Sequence, residues 1–266
     1  ILDFYEDEMK KGKTHEFNEI EFKYNDNSYV MIDTPGHKSF VRSMISGISR
    51  NIDIAVLMVS AIENEFISSF NKGMLKEHLI LAKAVGINNL IVLINKMDTI
   101  NWDKNIYTER IDEIKSFLDY INWKDNVQFI PISSYTGVGI IDNDNYPNWY
   151  NGPNFVESLA NIKLDLEDSI EYTKVEKKQI IIRTTIINNY DKIISKGFKC
   201  IVHIDNKEQE ITFLKIMNEK KFINSPTRCK CIIEFEYPQA VYENMRLILR
   251  KDDFTLGFGR VFKNSK

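Results

Sequence analysis

The stretch NLIVLINKMD, residues 89–98, sets an unbroken apolar run against the tetrad Asn-Lys-Met-Asp. A short, continuous, β-branched run of this kind reads as a strand buried on both faces, as in a parallel sheet covered by helices. Three further runs share the pattern: YVMID (29–33), IDIAVLMVS (52–60) and VQFIPI (127–132). Helical periods lie between them. In 108–121, Ile111, Ile114, Leu118 and Ile121 recur at helical spacing and form one apolar stripe, while KEHLILAKAVG (76–86) ends on a glycine that suits a helix stop. The alternation predicts an α/β unit, a mostly parallel sheet with flanking helices.

The rhythm changes near residue 165. QIIIRTTIIN, FKCIVHI, QEITFLKIM, RCKCIIEFEY, MRLILR and FTLGFGRVF follow at short intervals with no helical period between them. That pattern predicts an all-β barrel or sandwich. The charged segment 161–178 carries the boundary, giving an α/β domain over 1–165 and a β-barrel domain over 166–266. The length of 266 residues suffices for two such cores.

Composition narrows the class. Apolar residues make up 43% and charged residues 27%, as in soluble globular chains. A net charge of -3 gives no global basic signal for nucleic acid, and no DNA or membrane partner is expected. Three cysteines without paired spacing point to a reducing compartment rather than a disulfide framework. Cys229 and Cys231 would share one strand face, unlike a zinc knuckle. The longest apolar stretch, 52–62, contains Asp53 and is too short to span a bilayer. With no initial Met and no signal peptide, the sequence reads as the middle of something longer.

Chemistry collects at the carboxyl ends of the expected strands, where open α/β sheets bind ligands. In NKMD, the Asp98 carboxylate can accept two hydrogen bonds, from N1–H and the 2-amino group of guanine. Adenine offers neither donor and would leave the carboxylate unpaired. Asn95 would orient the loop, and the stem of Lys96 can lie along the base. SSYTG (133–137) ends the next strand, where N–H groups near Ser133 and Ser134, with Tyr135 beside them, could meet the guanine oxygen. DTPGHKSF (33–40) follows YVMI: Asp33 can hold Mg²⁺ through water, and the Gly36 N–H can meet a terminal phosphate. KKGKTHEF (10–17) contains Gly-Lys-Thr, but a P-loop needs a second glycine where Asp7 stands. No other Gly-Lys-Ser/Thr exists, so the sequence contains no P-loop.

Together these motifs resemble translational GTPases of the elongation-factor-1-alpha type, and among them the eukaryotic class II polypeptide release factors. Gly12-Lys13-Thr14, PGHKSFV (35–41), LAKAVGINNLIVLINKMD (81–98) and the barrel stretches ISKGFKCIVHI and GFGRVFK carry the likeness. It implies a P-loop-NTPase-like GTPase domain, here without its P-loop part, followed by the family's third domain with the second apparently absent. It implies GTP or GDP and Mg²⁺ as ligands. Thr14, in the first switch, and Asp33 would serve the metal, and His37 would orient the attacking water. The activity implied is GTP hydrolysis on the ribosome, near its GTPase-centre rRNA, in the cytoplasm. The chain alone is expected to be inactive and to bind GTP poorly.

The partner implied is a class I release factor, docked partly through MRLILRK (245–251), where Arg246 and Arg250 would flank Ile248 on one strand face. Departures from the pattern include Met74-Leu75 for the usual Gln-Thr, and Met245 and Leu247 for Gly and Phe. Two alternatives stand beside termination: a ribosome-rescue GTPase of the same family, and a pseudo-GTPase binding module without hydrolysis. His78 and His203 read as structural, and Trp102, Trp123 and Trp149 as packing anchors.

Overall fold

The computed structural model describes residues 18–33, 52–124, 126–141, 145–164, 173–187, 193–204, 207–218, 221–224, 226–252 and 254–262. In chain order, β1 (Asn18–Tyr24) and β2 (Asn27–Asp33) form an antiparallel hairpin, turned at Asn25 with φ 52°. β3 (Ile54–Ser60), β4 (Asn89–Asn95) and β5 (Val127–Pro131) follow, parallel and in that spatial order. The apolar runs of the sequence are these strands. Two differ from expectation: β3 leaves Val56 44% and Met58 51% exposed on one face, and β2 is open on its surface, with Val30 58% and Met31 38% exposed. Among the described residues it pairs only with β1, and a two-stranded ribbon cannot cover both of its own faces.

Among the described residues, four α-helices accompany the sheet. α1 (Glu63–Phe66) runs into a π-helical turn, Ile67–Asn71, and α2 spans Leu75–Val85. α2 stops at Gly86, whose φ of 90° is the left-handed conformation that lets Ile87 N–H reach back to Ala82 O at 3.1 Å. α3 (Lys104–Tyr120) begins where the Asp103 carboxylate accepts the N–H groups of Asn105 and Ile106, and its expected stripe is the buried one, through Ile114 and Leu118. α4 (Phe155–Asn161) opens on a reciprocal cap: Asn154 Oδ1 accepts from Glu157 N and Glu157 Oε2 from Asn154 N.

In β4 alternate side chains serve opposite faces. Ile91 and Leu93 join Ile130, Ile132 and the α4 residues Phe155, Val156 and Leu159 in one apolar cluster. Leu90, Val92 and Ile94 face the other way and are equally buried. Each such side chain contributes about 1.5–3 kcal/mol on removal from water, so β4 anchors the loop that follows it. Among the described residues no helix is long and apolar enough to cross a membrane.

The second unit is a closed six-stranded antiparallel barrel in the order β10-β11-β6-β9-β8-β7. Its strands are β6 (Val175–Ile186), β7 (Lys199–Ile204), β8 (Lys207–Ile216), β9 (Thr227–Val241), β10 (Arg246–Lys251) and β11 (Phe254–Phe262). Contacts divide the chain into Ile1–Lys83 with Ile87–Asp165, and Ala84–Gly86 with Leu166–Lys266. Inward residues of every strand, among them Ile182, Val202, Phe213, Ile233, Leu247 and Val261, fill the barrel. Gly257 and Gly259 let β11 approach β6: a Cβ at Gly257 would lie 2.2 Å from Thr185 O. Cys229 and Cys231 are both buried on one face of β9, their sulfurs 3.5 Å apart.

Candidate functional site

β3, β4 and β5 run parallel, so their carboxyl ends open on one edge of the sheet. There the backbone joins the strands before any side chain does. Ala61 N–H donates to Asn95 O at 2.8 Å, Ile132 N–H to Ile94 O at 2.8 Å, and Met97 N–H to Ile132 O at 3.2 Å. Asn95 is buried, and its amide serves both neighbouring turns. Its Oδ1 accepts the N–H of Lys96 at 2.7 Å and of Ser134 at 2.9 Å, while its Nδ2 donates to Ser134 Oγ at 2.9 Å. A buried amide whose groups are satisfied this way fixes one geometry, because breaking any bond leaves a desolvated polar atom.

The chain then turns sharply. Lys96 sits at φ 65°, a left-handed conformation that L residues other than glycine seldom adopt. Its carbonyl accepts from Thr99 N–H and Oγ1, closing the 3-10 turn Met97–Ile100. Met97 is fully buried beneath that turn and Asp98 stands half-buried upon it. Among the described residues no side chain pairs with the Asp98 carboxylate, which is therefore available to a ligand carrying two adjacent N–H donors.

The next turn is built similarly. Ser133 is buried; its Oγ accepts Thr136 N–H at 3.2 Å and its carbonyl accepts Gly137 N–H at 2.9 Å. Gly137 holds φ 82°. The N–H groups of Ser133 and Ser134, which the sequence suggested for a guanine oxygen, are engaged within the protein, with Val138 O at 3.0 Å and with Asn95 Oδ1. The reason is the Asn95 amide, which uses Ser134 N–H to join the two turns. Tyr135 follows, 92% exposed.

One contact at this edge was not legible in the sequence. Lys96 Nζ lies 2.8 and 2.7 Å from the two carboxylate oxygens of Glu65, in α1. Hydrogen bonds from Lys96 and from Ser60 hold the Glu65 carboxyl below the usual carboxylate range. The segment bearing Glu65 is fastened by Arg110, which is buried, stacks its guanidinium over Phe66 and donates Nε–H to Ala61 O at 3.4 Å. No local pattern links residue 65 to residue 96; adjacency of β3 and β4 does.

The structure thus brings together Asn95, Lys96, Asp98, Ser133, Ser134 and Tyr135. Asp33 closes β2, opposite Asn18 in the hairpin register. Thr14, Gly36 and His37 lie outside the described residues, among which no cluster of three or more His, Cys, Asp or Glu could hold a metal. In the barrel, β10 places Leu247 and Leu249 in the core, as alternation requires. Arg246 is exposed, whereas Ile248 and Arg250 are buried, at 4% and 7% exposure, so the three do not form the open face expected of them. The three tryptophans sit in packing positions: Trp123 is buried, Trp102 meets Tyr146 edge-on, and Trp149 lies tilted against Tyr107 and donates to Trp102 O.

A parallel sheet with a carboxylate presented on a clasped strand-end loop, in one chain with a six-stranded barrel, has the architecture of an elongation-factor-like GTP-binding protein. The family model for the elongation factor Tu GTP binding domain matches residues 1–164, and the chain belongs to that family. The eukaryotic peptide chain release factor GTP-binding subunit of Debaryomyces hansenii is 39% identical over 169 residues, covering 61% of this chain and 24% of that protein. Elongation factor 1-alpha of Ignicoccus hospitalis is 36% identical over 167 residues, 61% of this chain and 38% of that one. The crystal structure of the S. cerevisiae Ski7 GTPase-like domain, bound to GTP, has a TM-score of 0.73 over 98% of this chain and 85% of that one. At 16% identity that likeness is one of fold. The chain spans about a quarter of the length of the release-factor relatives.

Proposed function

We propose that the protein is a guanine-nucleotide-dependent translation-termination factor that acts with a class I release factor on the ribosome, in the cytoplasm. The observation that carries the nucleotide reading is the Asp98 carboxylate, without a side-chain partner among the described residues, on a turn that Asn95 and Ser134 hold in place. The termination reading rests on the 39% identity to a release-factor subunit. Asp98 would accept N1–H and the 2-amino group of guanine, the stem of Lys96 would lie along the base, and the 133–135 turn would border its oxygen edge. Thr14 and Asp33 offer hydroxyl and carboxylate oxygens, the hard donors that suit Mg²⁺, with Asp33 acting through water. The bound ion would neutralise charge on the phosphates. Gly36 would approach the terminal phosphate with its N–H, and His37 would hold the attacking water in line. Arg246, exposed on β10, is proposed to contribute to the release-factor docking face.

The test uses the full-length protein in two measurements. Fluorescent GDP should bind and be displaced by GTP but not by ATP, and ribosomes with a class I release factor should stimulate GTP hydrolysis. Binding of a ribosome-rescue paralogue in place of the release factor would move the protein to rescue. Nucleotide binding with no hydrolysis under saturating ribosomes would leave a binding module.

A further inference from the structure

Glu65 makes the most regular ion pair at the strand-end edge. Both of its oxygens lie within 2.8 Å of Lys96 Nζ, and the two side chains are 45% and 44% exposed. Isolated pairs that are this exposed contribute little stability, because water screens them and two long side chains lose freedom. This one joins two segments that are already fixed. Ser60 bonds to Glu65 from one side, Ser60 Oγ also accepts Ile62 N–H at 3.1 Å, and Ala61 is held between Asn95 O and Arg110 Nε. On the other side the Lys96 backbone is pinned by Asn95 Oδ1 and by Thr99. Glu65 therefore fixes the free end of a lysine whose backbone is already fixed.

From this geometry we infer that Glu65 is a positioning residue for guanine recognition, presetting the Lys96 side chain and steadying the turn that carries Asp98. The inference rests on the guanine reading of the site. A lysine stem is a flexible four-carbon chain, and ordering it at the moment of binding costs rotamer entropy. A carboxylate that orders it beforehand removes that cost from binding, which is how preorganisation raises affinity. Glu65 need not touch the nucleotide; it acts through Lys96.

The test is a double-mutant cycle on the full-length protein, read by fluorescent GDP titration with the melting temperature measured alongside. Glu65→Gln, which keeps the shape of the side chain but loses the charge, should weaken GDP roughly three- to tenfold. Glu65→Ala should do the same or more. In a Lys96→Met background, Glu65→Gln should cause no further loss, since the side chain it orders is gone. An equal loss in both backgrounds, tracking a fall in melting temperature, would show that Glu65 merely stabilises its loop and would overturn the inference. So would GDP affinity unchanged in both Glu65 variants, with the guanine reading left standing. If the unsubstituted protein fails to bind GDP, the guanine reading and this inference fall together.

Discussion

Asn95 and Ser134 hold each other by two hydrogen bonds of 2.9 Å, one from the Asn95 amide to the serine hydroxyl and one from the serine N–H to the amide oxygen. Thirty-nine residues apart in sequence, they convert two independent turns into one platform. Asn95→Ala should release both turns and leave the N–H groups of Lys96 and Ser134 without their acceptor. The expected cost is about 1–3 kcal/mol of folding stability, by chemical denaturation, and a larger proportional loss of GDP affinity. A variant that keeps wild-type GDP affinity would show that the clasp does not position the base site.

Asp98 tests the identity of the base. Asp98→Asn exchanges an acceptor for a donor, so guanine should be disfavoured and xanthine, whose 2-oxygen accepts, should be preferred. A competition titration of GDP against XDP reads the exchange directly. Unchanged preference for GDP would remove Asp98 from base recognition.

His37 tests the chemical step. A residue that only orients water acts in the transition state, so His37→Ala should leave GTP affinity within about twofold while slowing ribosome-stimulated turnover by roughly 10²-fold or more. Single-turnover hydrolysis with saturating ribosomes separates the two. Wild-type turnover would assign water positioning elsewhere.

His78 supplies a pH test of the fold. It is half-buried in α2 with its Nε2 shielded from water, and desolvation lowers its pKa from 6.5 to about 4. Between those values the unfolded chain binds a proton that the folded chain refuses, so stability falls as pH drops from about 6.5 and levels off below about 4. Full charging of the imidazole amounts to about 3 kcal/mol. Carboxylates titrate in the same window, so the comparison is with His78→Leu, which should flatten the slope of stability against pH. Parallel curves for the two proteins would contradict the burial effect.

The residue sequence by itself determined which segments would become strands and what chemistry stands at their ends. Continuous apolar runs satisfy their backbone as strands of a sheet, so β3, β4 and β5 were legible, although one face of β3 is open, as were the six barrel strands in their short alternating rhythm. NKMD and SSY were legible because a polar loop after a buried strand must emerge at its carboxyl end. The reciprocal cap that starts α4 also had its signature in Asn154 and Glu157, though a seven-residue helix gives too little periodicity to stand out. Tertiary structure alone decided what crosses between strands. The pairing of Glu65 with Lys96, the service of both turns by Asn95 and the anchoring of Ala61 by Arg110 follow from strand order. Local sequence does not encode strand order, because a strand's apolar pattern says which residues are buried but not which neighbour buries them. The same holds for β10: alternation placed Leu247 and Leu249 in the barrel core, but it did not reveal that Ile248 and Arg250 are buried as well.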